Sequence, residues 1–166
     1  METSKTQIAQ SNWLIFLGLL LFFIGLVIGL FVQNMVNPRT ALSAHLEGLM
    51  NGMFLAILGI VWHRISITTR LLKLTFWLAL YGSFANVIAV FLGGLTGAGR
   101  LMPLAGGLEG DQPIEGIISF QLTTLALSML AVLVLVMVGF YKHMFAKTIH
   151  KTALWIHIQD CIQCIC

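Results

Sequence analysis

Apolar residues run along this chain in four long blocks, and charged residues fall almost entirely between them. No Asp, Glu, Lys or Arg occurs between Lys5 and Arg39, between Lys73 and Arg100, or between Glu115 and Lys142. The second block in chain order, His45 to Trp62, is shorter and more polar than the others. A helix needs about 17–25 predominantly apolar residues to cross a bilayer. The pattern therefore predicts spanning helices over about 12–33, 45–62, 74–96 and 116–141. The expected fold is all-α: an integral membrane four-helix transmembrane bundle over residues 1–147, with both termini on the same side. Residues 148–166 are expected to form a disordered or interfacial tail.

The connections are too short to hold another domain, and Asn37-Pro38, Gly106-Gly107 and Pro113 supply their turn signals. The first block exceeds the roughly 7–15 apolar residues of a secretory signal, and no small-x-small cleavage site follows it. It is read as retained. Gly18, Gly25 and Gly29 share one stripe of this helix, a close-packing pattern that makes it a wall of the bundle.

Composition identifies the solvent. Hydrophobic residues make up 58% of the 166-residue chain and charged ones 9%, with a mean hydropathy of +0.95. Soluble domains devote about a quarter of their residues to charge, so a soluble enzyme is excluded and the lipid bilayer is the expected surrounding. The net charge of +3 does not indicate nucleic acid, because the basic residues sit between apolar blocks rather than in a patch. Lys5, Arg64, Arg70, Lys73, Lys142, Lys147 and Lys151 fall on one side, and only Arg39 and Arg100 on the other. Seven against two places both termini in the cytoplasm.

Polar residues inside the blocks are the candidate chemistry. Glu47 and Asn51 stand one turn apart on one face of the second helix, with His45 at its edge. An ionisable group in a span costs a few kcal/mol and usually faces protein or a cavity. Placed at a helix start, Glu47 would instead be a macrodipole-favoured acid reaching for the interface. Asn86 interrupts a small-residue face of the third helix that includes Thr75, Ala79, Gly82 and Ser83, with Tyr81 flanking it. On the fourth helix Gln121, Thr124 and Ser128 share a face, and the two hydroxyls are expected to bond to backbone. Counted at about 1.5 Å per residue, Asn51, Asn86 and Gln121 reach a similar depth beneath Glu47. The expectation is a polar pocket in one half of the bundle. The structural alternative is that the amides only glue helices together.

No phosphate loop, nucleophile elbow or His-Glu-x-x-His occurs, and the histidines fall at predicted helix ends or in the tail, so no cofactor and no metal are expected. His157, Cys161, Cys164 and Cys166 have a spacing that could bind zinc. Four ligands crowded into ten residues favour an ordinary tail instead.

The segment Leu42–Trp62, preceded by Asn37-Pro38-Arg39, resembles hydroxylaminobenzene mutase and its membrane relatives. So do Phe76–Asn86 and Pro103–Gly107. His45-Leu46-Glu47-Gly48 with Asn51-Gly52 is the most specific part, followed by Tyr81-Gly82 with Asn86. The resemblance covers roughly Asn12 to Lys142 and stops before the tail. It implies a bacterial inner-membrane isomerase that converts hydroxylaminobenzene, or a related small aromatic hydroxylamine, to 2-aminophenol without an added cofactor, in nitroaromatic breakdown.

Within that reading Glu47 is the candidate proton donor, since apolar surroundings disfavour a bare carboxylate. His45 is the alternative acid or its partner. Asn51 and Asn86 would hold the hydroxylamine, Gln121 and Tyr81 would contact substrate, and Phe54 or Phe84 would line a slot for the ring. Two rivals remain. One is a proton-coupled transporter using Glu47, with a homo-oligomer supplying the path. The other is a membrane subunit without chemistry.

Overall fold

The structure, a computed structural model, describes the backbone of residues 2–163 and the side chains of residues 5–145. Four helices dominate it: α1 (Glu2–Phe31), α2 (Pro38–Val61), α3 (Thr69–Thr96) and α4 (Ile114–Gln163). Each contains a stretch long and apolar enough to cross a membrane: Lys5–Asn34, Pro38–Arg64, Thr69–Thr96 and Ile114–Phe145. The protein is a multi-pass, all-helical membrane protein. The backbone of α4 runs unbroken to Gln163. His157, Cys161, Cys164 and Cys166 of the tail lie outside the described side chains.

The departure from the sequence-based spans that bears on the site is the start of α2. Asn37 caps the helix, its side chain accepting from Thr40 N at 3.2 Å, and Pro38 occupies the first turn. Both are favoured helix-start residues. The helix thus begins seven residues ahead of His45. Apolarity alone hid this turn, because Arg39, Thr40 and Ser43 read as loop. Glu47 is therefore not a helix-start acid. It lies nine residues, about 13 Å, into the span.

The helices pack in chain order, α1 on α2, α2 on α3 and α3 on α4, with α1 also grazing α3. Among the described residues α4 packs against neither α1 nor α2. Bare backbones set the α1–α2 distance. A Cβ on Gly25 would lie 2.9 Å from Gly48 C, and one on Gly18 only 2.7 Å from Gly52 O. Close approach of this kind strengthens dispersion contacts where no hydrophobic effect drives helices together. Leu55, Leu58, Trp62, Phe76, Ala79 and Leu80 fill the α2–α3 seam toward one end, with Trp62 and Phe76 in edge contact at 6.4 Å. Between α3 and α4, Met129 occupies the space left by Gly82, and Ser128 Oγ donates to Leu78 O at 3.0 Å.

Two different ends result. At one, Gln7 Nε2 donates to Trp62 O (2.8 Å) and Ile65 O (3.3 Å), and Ser66 N donates to Gly139 O (3.1 Å). Lys5, Arg64, Arg70, Lys73 and Lys142 gather here, making it the basic end. At the other, α3 stops on Gly97 in the left-handed conformation (φ 77°), which a side chain would strain. The chain from 97 to 113 then folds over the helix ends as a cap.

Candidate functional site

Two turns below the cap, α2 and α3 bring three of the expected side chains together. Asn51 Nδ2 donates to Glu47 Oε2 at 3.0 Å and to Glu47 O at the same distance. The first bond follows from their i, i+4 spacing. Asn86 of α3 donates to the same Oε2 at 2.6 Å. One carboxyl oxygen thus accepts two amide N–H groups from two helices, while the described residues give Oε1 no partner. The two bonds satisfy a polar group that would be costly to leave unpaired in a span. Asn51 is buried, whereas Glu47 and Asn86 are only half-buried. The open side of the pair is where chemistry can occur.

The other expected residues are placed differently. Gln121 is on α4, which does not reach α2, so it does not join the Glu47 cluster. His45 lies two residues from Glu47, about 200° around the helix, and points to α1. Its Nδ1 is 2.8 Å from Gly25 O, and its ring fills the space beside Gly29. Because a carbonyl only accepts, Nδ1 carries a proton, which leaves Nε2 with the free lone pair in the neutral ring. Tyr81 turns toward α4, its hydroxyl 2.7 Å from Thr124 Oγ1. Thr124 also bonds back to Phe120 O at 2.9 Å, as expected of a hydroxyl in a span. Phe54 shares the Glu47 face two turns farther from the cap, and Phe84 sits about 200° from Asn86 on α3.

The expectation that all histidines lie at helix ends does not hold for His45, which is seven residues inside α2. With Nδ1 engaged by Gly25 O, Nε2 is the nitrogen of this ring that could ligate a metal or a cofactor's metal. No group of three or more His, Cys, Asp or Glu side chains gathers among the described residues. Sequence reasoning also passed over Ser83. It is fully buried three residues before Asn86, and among the described residues its Oγ is the buried side-chain oxygen without a partner. Nothing in its residue type separates it from the hydroxyls that bond to backbone.

Cavities form elsewhere on the bundle. A 420 Å³ groove between α1 and α3 is lined by Gln10, Trp13, Phe76 and Trp77, among others. Another, of 320 Å³, lies nearer the cap beside Ile28, Met35 and Phe91. Neither includes Glu47.

Comparison with known proteins adds a separate line of support. No solved structure is significantly similar to the chain. It is 45% identical over 141 residues to the hydroxylaminobenzene mutase HabB of Ectopseudomonas oleovorans, covering 84% of this chain and 86% of the relative. It is 38% identical over 127 residues to the hydroxylaminobenzene mutase HabA of the same organism, covering 75% of this chain and 94% of the relative. The family model for styrene oxide isomerase matches residues 10–141, a stretch that includes most of every span and the whole Glu47 cluster. The chain belongs to the styrene oxide isomerase family.

Proposed function

We propose that this protein is an isomerase of the hydroxylaminobenzene mutase type, moving the hydroxyl of an arylhydroxylamine from nitrogen to the ortho carbon. The two relatives bear that name. The observation that carries the residue-level reading is the Glu47 carboxyl, with two amide donors on Oε2 and none on Oε1.

That asymmetry suits a proton donor. Asn51 and Asn86 orient the group through Oε2, so the acid proton resides on Oε1 and is presented on the open side. Hydroxide leaves nitrogen poorly, and protonation of the hydroxylamine oxygen turns it into water as the N–O bond breaks. The negative charge that develops on Glu47 falls on an oxygen already held by two N–H groups, which is preorganised stabilisation. The resulting arylnitrenium ion carries positive charge at its ortho and para carbons. Retention of the released oxygen beside the ring favours ortho addition by proximity. One proton of the added water passes to the nitrogen and the ring C–H proton returns to Glu47, so the reaction is balanced with no net oxidation.

In this reading Phe54 contributes to the ring slot along the Glu47 face. His45 supports α1 and is not the acid. The named relatives favour an isomerase over the transporter alternative. The seven-to-two distribution of basic residues favours an inner-membrane protein with the basic end in the cytoplasm. Reporter fusions at each end test that orientation, and a periplasmic basic end would reverse it.

The decisive experiment is a product assay on purified, detergent-solubilised protein given hydroxylaminobenzene, with wild type beside Glu47→Gln. Formation of 2-aminophenol by wild type alone, with both proteins folded, supports the reading. A folded wild type that makes no aminophenol from any arylhydroxylamine overturns it.

A further inference from the structure

The Glu47 cluster lies under a cap whose hydrogen bonding far exceeds what a passive loop requires. Glu115, at the start of α4, is 5% exposed, and its carboxylate accepts three hydrogen bonds. Arg100 N reaches Oε1 at 3.1 Å, Ser119 Oγ reaches the same oxygen at 3.2 Å, and Gly110 N reaches Oε2 at 3.1 Å. The two backbone donors lie in different parts of the cap. A short ladder between them, Gly99 N to Leu108 O (2.8 Å) and Leu108 N to Gly97 O (3.1 Å), draws its two halves together. From the α2 side, Asn37 Nδ2 donates to Gly106 O at 2.6 Å and Thr40 Oγ1 to Ala105 O at 2.9 Å.

These bonds seat the cap on the seam that leads to Glu47. A Cβ on Gly93 would meet Ala98 O at 2.8 Å, Met102 Cε at 2.9 Å and Thr40 Cγ2 at 3.1 Å. Thr40 stands seven residues before Glu47 and Gly93 seven after Asn86, two turns or about 10 Å in each case. Buried Ala44 and Val90 occupy the seam between those levels. The basic-end side is closed by Leu55, Leu58, Trp62 and Phe76. Glu47 and Asn86 themselves are half-buried.

We propose that Glu115 is the clamp of a water-tight cap, and that this cap determines the regiochemistry of the reaction by keeping bulk water from the Glu47 site. The second part rests on the mutase reading. With the cap seated, the oxygen released from nitrogen is the one nucleophile at hand, and it adds at the ortho carbon. With the cap loosened, solvent water adds to the same cation at the para carbon. The added oxygen loses a proton, and the ring regains aromaticity as its para C–H proton is lost and one is taken up at nitrogen, the original oxygen having already departed as water. The product is 4-aminophenol, of unchanged composition but with solvent oxygen.

The test has two arms. In H2¹⁸O, Glu115→Gln and the double variant Asn37→Ala, Thr40→Val are compared with wild type for the ratio of 4- to 2-aminophenol and for label in both. The expected rise in para product and in label is about tenfold, and the second variant keeps the test open if the first does not fold. Folded variants with the wild-type ratio and label overturn the regiochemical role. In the second arm, Ala44→Cys is introduced with Cys161, Cys164 and Cys166 replaced by serine, and a charged, membrane-impermeant thiol reagent is added at the cap side. Labelling should be slow with Glu115 intact and about tenfold faster with Glu115→Gln. Equal rates overturn the seal. Because this arm needs no turnover, a protein that makes no aminophenol would refute the mutase reading while the labelling rates still decide the clamp.

Discussion

Asn86 and Glu47, joined at 2.6 Å across the α2–α3 seam, link two spanning helices through a polar contact in the middle of an apolar bundle. Asn51 reinforces the same oxygen from within α2. The paired donors hold one carboxyl oxygen fixed and leave the other without a partner among the described residues.

Glu47→Gln preserves the size of the side chain and an acceptor oxygen for the two asparagines while removing the acid proton. Turnover should fall by about 10²–10⁴, the usual contribution of a positioned proton donor. Helicity by circular dichroism and the elution volume in detergent should be unchanged. Retention of wild-type turnover would remove Glu47 from the chemistry.

Asn86→Ala and Asn51→Ala each delete one donor to Oε2. Asn86→Ala should lower kcat by about tenfold to a hundredfold, because a hydrogen bond to a charged group is worth about 1.5–3 kcal/mol. The loss should fall in kcat more than in KM. Combined with Glu47→Gln, neither asparagine substitution should cause a comparable further loss, since groups acting through one residue are not additive. Additive losses would show that the asparagines act independently of Glu47.

Tyr81→Phe separates the α4 side of α3 from the carboxyl cluster. The hydroxyl meets Thr124, not Glu47. An interhelical hydrogen bond in a bilayer is worth about 0.6 kcal/mol on average, so a small drop in thermal stability is expected with kcat within about twofold of wild type. A hundredfold loss of kcat would return Tyr81 to the site.

Gly48→Val tests the α1–α2 seam. A Cβ at Gly48 would lie 2.5 Å from Gly25 Cα, a backbone atom that cannot rotate away. The two helices must separate, at a cost of about 1–3 kcal/mol for overpacking. Since His45 is also held by α1, Gly25→Val should perturb the seam in the same way. Thermal unfolding in detergent measures both, and an unchanged melting temperature would contradict the close approach.

Much of this protein is determined by its sequence alone. Apolar blocks long enough to cross a bilayer dictate four helices, since only internal hydrogen bonding satisfies a backbone in hydrocarbon. Glu47, Asn51 and Asn86 stood out because polar groups are costly there, and the spacing of Glu47 and Asn51 already put them on one face. Tertiary structure decided which helices meet. Gln121 has the right depth and residue type to join the cluster, but depth along an axis says nothing of the angle around the bundle, and α4 packs on α3 away from α2. His45 turned to α1 because glycines there make room for its ring. The start of α2 at Pro38 was concealed by polar residues whose partners are in the cap, Thr40 with Ala105 and Asn37 with Gly106. Local pattern dictates the helices because their backbone bonds are local. The cap, its Glu115 clamp and the choice of partners for each polar group come from contacts between residues distant in the chain, which local pattern does not encode.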